Sequence, residues 1–196
     1  MVTIVDYGLG NAGSVKNALE FLGVPATISS LPADLVTASH IILPGVGSFD
    51  VCLDKLNRSG LMEVLSQEVV GKRKPYLGIC LGMQILATTG KEGKKTKGLG
   101  WVSGVTRHLE ADKLPLPHMG WNDVEKVRES KLLVGVTRPI FYFAHSFHFV
   151  PTNQGVIMAK TNYGQDFVSI VEQENIFGVQ FHPEKSQQAG LRLLEN

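Results

Sequence analysis

Two short stretches, far apart in the chain, carry groups able to make and break an acyl bond. The first is Gly78-Ile79-Cys80-Leu81-Gly82-Met83-Gln84, the second Phe181-His182-Pro183-Glu184. A cysteine between two glycines, directly after an apolar run, has the strand–turn–helix form of a nucleophile elbow, G-x-C-x-G in place of G-x-S-x-G. Flanking glycines permit a turn tight enough to project the side chain beyond the sheet edge. His182 and Glu184 are two apart in an extended segment, so their side chains share one face. Thiol, imidazole and carboxylate together are the parts of a covalent acyl-transfer site. Singly, each has a plainer reading, since lone cysteines are commonly small buried residues and lone histidines commonly core. The conjunction favours the catalytic one.

The elements that must position these groups follow from hydrophobic spacing. Thr3 to Asp6, Ala26 to Ser29, His40 to Leu43 and Tyr76 to Ile79 read as strands. Ala12 to Leu22 reads as a helix with Val15, Ala18, Leu19 and Leu22 on one face, and Leu53 to Val69 as a helix broken at Ser59-Gly60. Strands alternating with helices imply parallel pairing through right-handed crossovers. The second half is richer in strands, at Ile140 to Phe143, Val156 to Lys160, Phe167 to Glu172 and Asn175 to Gln180. The expectation is an α/β fold: an open, mostly parallel, twisted sheet with helices on both faces and an antiparallel β extension. No linker, repeat or low-complexity tract divides residues 1–196, which read as a single domain. Gly90 to Gly98, rich in glycine and lysine, reads as an exposed loop.

Further stretches agree in order and spacing with one family. GICLGMQ and, from Gly178 to Ser186, GVQFHPEKS resemble a class I glutamine amidotransferase. Within it, four more stretches are similar to the glutaminase subunits of imidazole glycerol phosphate synthases. They are Asp6-Tyr7-Gly8-Leu9-Gly10-Asn11, Pro44-Gly45-Val46-Gly47, Pro117 to Asn122 and Tyr142 to Phe147. The resemblance runs from residue 2 to the C-terminal end and implies a flavodoxin-like core. It implies attack by Cys80 on the side-chain amide of L-glutamine, a γ-glutamyl thioester, ammonia, and hydrolysis to glutamate. His182 would shuttle the proton, and Glu184 would fix the imidazole tautomer. A helix N-terminus and a paired imidazole both favour a thiolate at Cys80. No cofactor is implied.

The same resemblance assigns further residues. The oxyanion would be met by Leu81 N–H and a donor from Gly45-Val46-Gly47. Val46, between two glycines, can flip its peptide, so the resting hole would lack one donor until a partner is engaged. Gly47, Gln84, Glu92, Ser146 and Phe147 would surround the bound glutamine, with Glu92 on its α-ammonium; the family commonly has Tyr at the position of Phe147. Asn11, Met119, Trp121, Asn122, Tyr142 and Lys185 match the face that docks a (β/α)8 barrel synthase subunit in a heterodimer, where ammonia would form imidazole glycerol phosphate for histidine biosynthesis. Trp121 and Tyr142 suit an interface anchor and equally a core. Two rivals stand beside this reading: a paralogous subunit feeding another acceptor such as a cell-surface sugar, and a binding protein with a vestigial site.

Bulk properties set the remaining limits. Hydrophobic residues are 43% and charged residues 19% of 196, with net charge +1, which recommends neither nucleic acid nor anionic membrane as a partner. The chain opens on a strand rather than a signal segment, and no apolar run approaches the ~20 residues of a membrane span. Two cysteines make no disulfide framework; the cytoplasm is the expected compartment. Gly8-Leu9-Gly10-Asn11-Ala12-Gly13 satisfies the dinucleotide fingerprint G-x-G-x-x-G, but the second strand ends Ile28-Ser29-Ser30 without the acidic ribose anchor. Close approach of the turn to a neighbouring surface is the plainer use of those glycines. His145 and His148 lie three apart in an aromatic, strand-like run and so face opposite ways; no metal is expected. Cys52 reads as buried helix packing.

Overall fold

The computed structural model describes all 196 residues. Strands β1 (Val2–Val5), β2 (Ala26–Ser29), β3 (His40–Gly45) and β4 (Tyr76–Cys80) alternate with α1 (Ala12–Phe21), α2 (Pro32–Thr37), α3 (Phe49–Arg58) and α4 (Leu61–Ser66). One π-helical turn (Gln67–Gly71) continues α4, and the short α5 (Leu81–Gln84) follows β4 directly. Ten strands come next: β5 (Thr89–Glu92), β6 (Lys94–Lys97), β7 (Gly104–His108), β8 (His118–Asp123), β9 (Glu125–Lys126), β10 (Ile140–His145), β11 (Phe147–Pro151), β12 (Ile157–Tyr163), β13 (Gln165–Gln173) and β14 (Ile176–Val179). Helix α6 (Gln187–Glu195) ends the chain.

The main sheet has the order β2-β1-β3-β4-β14-β13-β12-β9. Its first five strands are parallel, and the last three pairings antiparallel. Alternation along each strand feeds two cores. Val5, Ile41, Leu43 and Tyr76 pack with Leu35 of α2, Leu53 and Leu56 of α3 and Leu61 and Leu65 of α4. Ile4, Ile42 and Ile79 pack on the other face with Val15 and Leu19 of α1 and Leu193 of α6. Burial on both faces is what a parallel sheet requires. No helix is long and apolar enough to cross a membrane.

Two expectations change. Gly90 to Gly98 is not an irregular loop: Thr89–Glu92 and Lys94–Lys97 pair as a hairpin, closed through Glu92↔Lys94. The second half also holds two small sheets beside the main one, β10-β8 and β11-β7-β5-β6. The aromatic run from Phe141 to Phe149 breaks at Ser146, and its halves enter different sheets.

Candidate active site

The site lies at the carboxyl ends of β3, β4 and β14, where open α/β sheets bind ligands. Cys80 ends β4 with φ 55° and ψ −106°, a conformation that costs an L-residue on the order of 1–3 kcal/mol. Both neighbouring glycines are required for it. A Cβ on Gly78 would lie 2.3 Å from the Gly82 carbonyl oxygen, and one on Gly82 only 1.9 Å from that of Leu43. The buried Tyr76 hydroxyl donates to the Gly82 carbonyl at 3.0 Å and ties the turn to its own strand.

His182 arrives just beyond β14, with its backbone fixed twice. Its N–H donates to Tyr142 O at 2.8 Å, and its carbonyl accepts from Ser186 Oγ at 2.6 Å. Nδ1 of the imidazole is 2.9 Å from Glu184 Oε1, and the Glu184 side chain is fully buried. Burial works against a charged imidazole; the Cys80 sulfur, by charge and hydrogen bonding, and then the Glu184 carboxylate outweigh it and push the His182 pKa up to about 10. Gln180 Nε2 also donates to Cys80 Sγ, at 3.7 Å. An imidazolium beside a sulfur can serve as a general acid.

The Pro44–Gly47 turn abuts Cys80 and the turn that follows it. Gly45 is the register partner of Cys80, and a Cβ on it would stand 2.8 Å from Leu81 Cβ and 3.2 Å from Gly82 N. Gly47 has φ +98°, and Val46 between them is exposed. Tyr7 donates its hydroxyl to Pro44 O at 3.1 Å. Gly10, at φ +108°, comes so close that a Cβ there would meet Pro44 O at 2.7 Å. Of the apparent dinucleotide fingerprint's glycines it is Gly10 that lets the β1–α1 turn lie against the Pro44–Gly47 turn, whereas Gly13 has open space around it.

The other expected contacts divide. Gln84 is buried, and its Nε2 donates to Phe147 O (2.7 Å) and Gln180 Oε1 (3.2 Å), leaving only its carbonyl oxygen to meet a ligand. Phe147 O also takes the His145 Nδ1 hydrogen bond at 2.9 Å, and Ser146 O accepts from Leu109 N. Both carbonyls are therefore engaged within the protein. The Phe147 ring sits edge-on to His108. Glu92 accepts from Phe49 N at 2.7 Å and so anchors the start of α3, just after the Pro44–Gly47 turn.

The six residues expected to dock a partner do not share one orientation. Met119 and Trp121 are 64% and 48% exposed on one face of β8, Trp121 packs edge-on against Tyr142, and Lys185 Nζ stands 5.7 Å over the Tyr142 ring. Asn122 turns to the other face of the strand, toward His118 Nε2 (3.3 Å) and Asn162 O (2.9 Å). Asn11 reaches inward, its Nδ2 3.5 Å from Glu184 Oε1. Sequence reasoning missed Gln180, Tyr7 and Ser186. Gln180 and Ser186 stood inside the quoted GVQFHPEKS stretch, but nothing in their spacing marked them.

Residues 3–196 match the family model for Glutamine amidotransferase class-I. The chain belongs to the class I glutamine amidotransferases. Within them, this amidotransferase is 44% identical to the imidazole glycerol phosphate synthase subunit HisH of Pelagibacter ubique, across 100% of its own length and 97% of that protein. It is 43% identical to a HisH 2 subunit of Pseudomonas aeruginosa, across 100% and 98%. A crystal structure of a glutamine amidotransferase superposes with a TM-score of 0.78 at 20% identity, covering 100% of this chain and 98% of that one. A chain in the structure of PurLQS from Thermotoga maritima gives 0.78 at 20%, covering 99% and 95%. At those identities the structures speak to the fold alone.

Proposed function

We propose that this chain is the glutaminase subunit of an imidazole glycerol phosphate synthase, acting as one domain over residues 1–196 in the cytoplasm. It hydrolyses L-glutamine and passes ammonia to a separate (β/α)8 barrel subunit. That partner uses it to form imidazole glycerol phosphate and aminoimidazole carboxamide ribonucleotide in histidine biosynthesis. The observation that carries this reading is the buried Glu184–His182 pair coupled to Cys80, in a chain 44% identical to a HisH subunit over its full length.

The chemistry follows from the charges. Cys80 thiolate attacks the γ-carbon of glutamine, and the carbonyl oxygen takes up the negative charge. Leu81 N–H and a peptide N–H of the Gly45–Gly47 turn are the donors for it. His182 gives its proton to the amide nitrogen, the C–N bond breaks, and ammonia leaves a γ-glutamyl thioester. The now neutral imidazole then takes a proton from water, the hydroxide attacks the thioester, and glutamate departs as the thiolate re-forms. The carbonyl of Gln84, the second oxygen of Glu92 and the backbone near Gly47, Ser146 and Phe147 bind the substrate, while Met119, Trp121, Tyr142 and Lys185 meet the partner and Asn11 and Asn122 support that face from behind. Ammonia remains a nucleophile only if kept neutral, which favours direct transfer across a docked interface.

The test is glutamate release by the chain alone, with purified barrel subunit, and with that subunit plus its acceptor. Slow release alone and a rise of about 10²–10³-fold in the full complex are expected if one oxyanion donor turns inward on docking. Absence of glutamate release in every condition would overturn the reading.

A further inference from the structure

One run of hydrogen bonds leads from strand β8 to the sulfur of Cys80, and its direction is fixed by chemistry. The Phe147 carbonyl can only accept, so His145 Nδ1, 2.9 Å away, carries the hydrogen. A neutral imidazole has one, so His145 Nε2 is bare and must accept from His118 Nδ1 at 3.2 Å. His118 Nε2 is then bare in turn and accepts from Asn122 Nδ2 at 3.3 Å. Both rings are buried, and burial pushes their pKa values down, His118 to about 4 and His145 to about 3, so both are neutral as this direction demands.

The same carbonyl fixes the two glutamines. Gln84 must present its nitrogen to Phe147 O, and its second N–H then meets Gln180 Oε1. Gln180, wholly buried, is left with its nitrogen toward Cys80 Sγ, 3.7 Å away. Flipping Gln84 would set oxygen against oxygen, and flipping Gln180 alone would set N–H against N–H. An N–H donor on sulfur favours thiolate over thiol. The ionisable groups around that sulfur are His182, with Glu184 behind it, and Tyr7; Gln180 supplies the neutral donor.

We propose that Gln180 is a catalytic residue that holds the Cys80 sulfur as thiolate, and that the buried Gln84–Phe147–His145–His118 chain is the positioning element that keeps its nitrogen turned to the sulfur. This rests on Cys80 being the nucleophile. It adds a donor that the cysteine–histidine–glutamate set does not contain.

The test reads the sulfur itself: the rate of Cys80 alkylation by iodoacetamide in the full-length chain across pH, by peptide mass. Gln180→Met, similar in length without the donor, is expected to slow alkylation near neutral pH by about tenfold or more, since a hydrogen bond to a charged group is lost. Gln180→Glu, close in shape, places a carboxylate on the sulfur and is expected to slow it further. His145→Asn keeps an N–H where Nδ1 stood and should react faster than His145→Val. Wild-type alkylation profiles in folded Gln180→Met would overturn the proposal; should that variant not fold, a wild-type profile in Gln180→Glu would do so. Glutamate release by Cys80→Ala would remove the proposed function instead, whatever the Gln180 variants do.

Discussion

The Cα of Gly82 points at the carbonyl oxygen of Leu43 so closely that a methyl group there would lie 1.9 Å from it. Strand β3 and the turn after Cys80 are therefore in backbone contact, and the conformation of Cys80 depends on that contact. Gly82→Ala is expected to destabilise the chain by about 3 kcal/mol or more, because backbone cannot yield as a side chain does. Gly13→Ala is the control: it lies in α1 with open space around it and should stabilise by about 0.5 kcal/mol. Urea unfolding of both variants measures the contrast.

Titration of His182 gives the second prediction. Followed by NMR, its imidazole should remain protonated through neutral pH and lose its proton near pH 10. Burial opposes that charge and Cys80 is the first of the groups that restore it, so Cys80→Ala should bring the pKa down. The sign for stability follows. A pKa raised in the folded state contributes stability fully present below the ordinary value of 6.5 and lost as pH rises toward about 10. The stability gap between the native chain and His182→Gln should therefore narrow from pH 7 to pH 10.

How far the sequence foretold this arrangement depends on where each signal resides. The parallel half was legible because β1, β3 and β4 are apolar on both faces and separated by amphipathic helices, so pattern and tertiary environment agree. Of the small sheets only β10 was read as a strand, since β7 (Gly104–His108) and β8 (His118–Asp123) mix glycine, charge and single apolar residues, and gain their order from partners distant in sequence. The lysines of β5 and β6 likewise hid a hairpin, because its register is set by backbone pairing and not by a buried face. Cys80, His182 and Glu184 stood out by residue type. Gln180 did not, as only its neighbours in space give a neutral amide a role.

The third prediction concerns the turn beside Cys80. Tyr7→Phe removes the hydroxyl that donates to Pro44 O within the core. A loss of about 1–2 kcal/mol is expected for the unpaired carbonyl. The freed turn should also raise glutamate release by the chain without its partner severalfold. A destabilised variant with unchanged release would show that this bond supports the fold and not the turn's resting state.

Docking supplies the fourth. Trp121 is half exposed and braced by Tyr142, whose ring carries Lys185 on its other contact. A braced, exposed aromatic residue is a candidate anchor, and its truncation typically costs about 2 kcal/mol or more in binding. Trp121→Ala should thus weaken association with the proposed synthase partner by about 30-fold or more, read by calorimetry, while the isolated chain's unfolding midpoint barely moves.

Acylation of one sulfur is the claim beneath all of these, and acid-quenched turnover with glutamine, followed by peptide mass analysis, tests it most directly. In the complex with the proposed synthase partner, the peptide containing Cys80 should carry one γ-glutamyl group during steady turnover, and Cys80→Ala should carry none and release no glutamate. Glutamate release by Cys80→Ala at the parent rate would contradict the account.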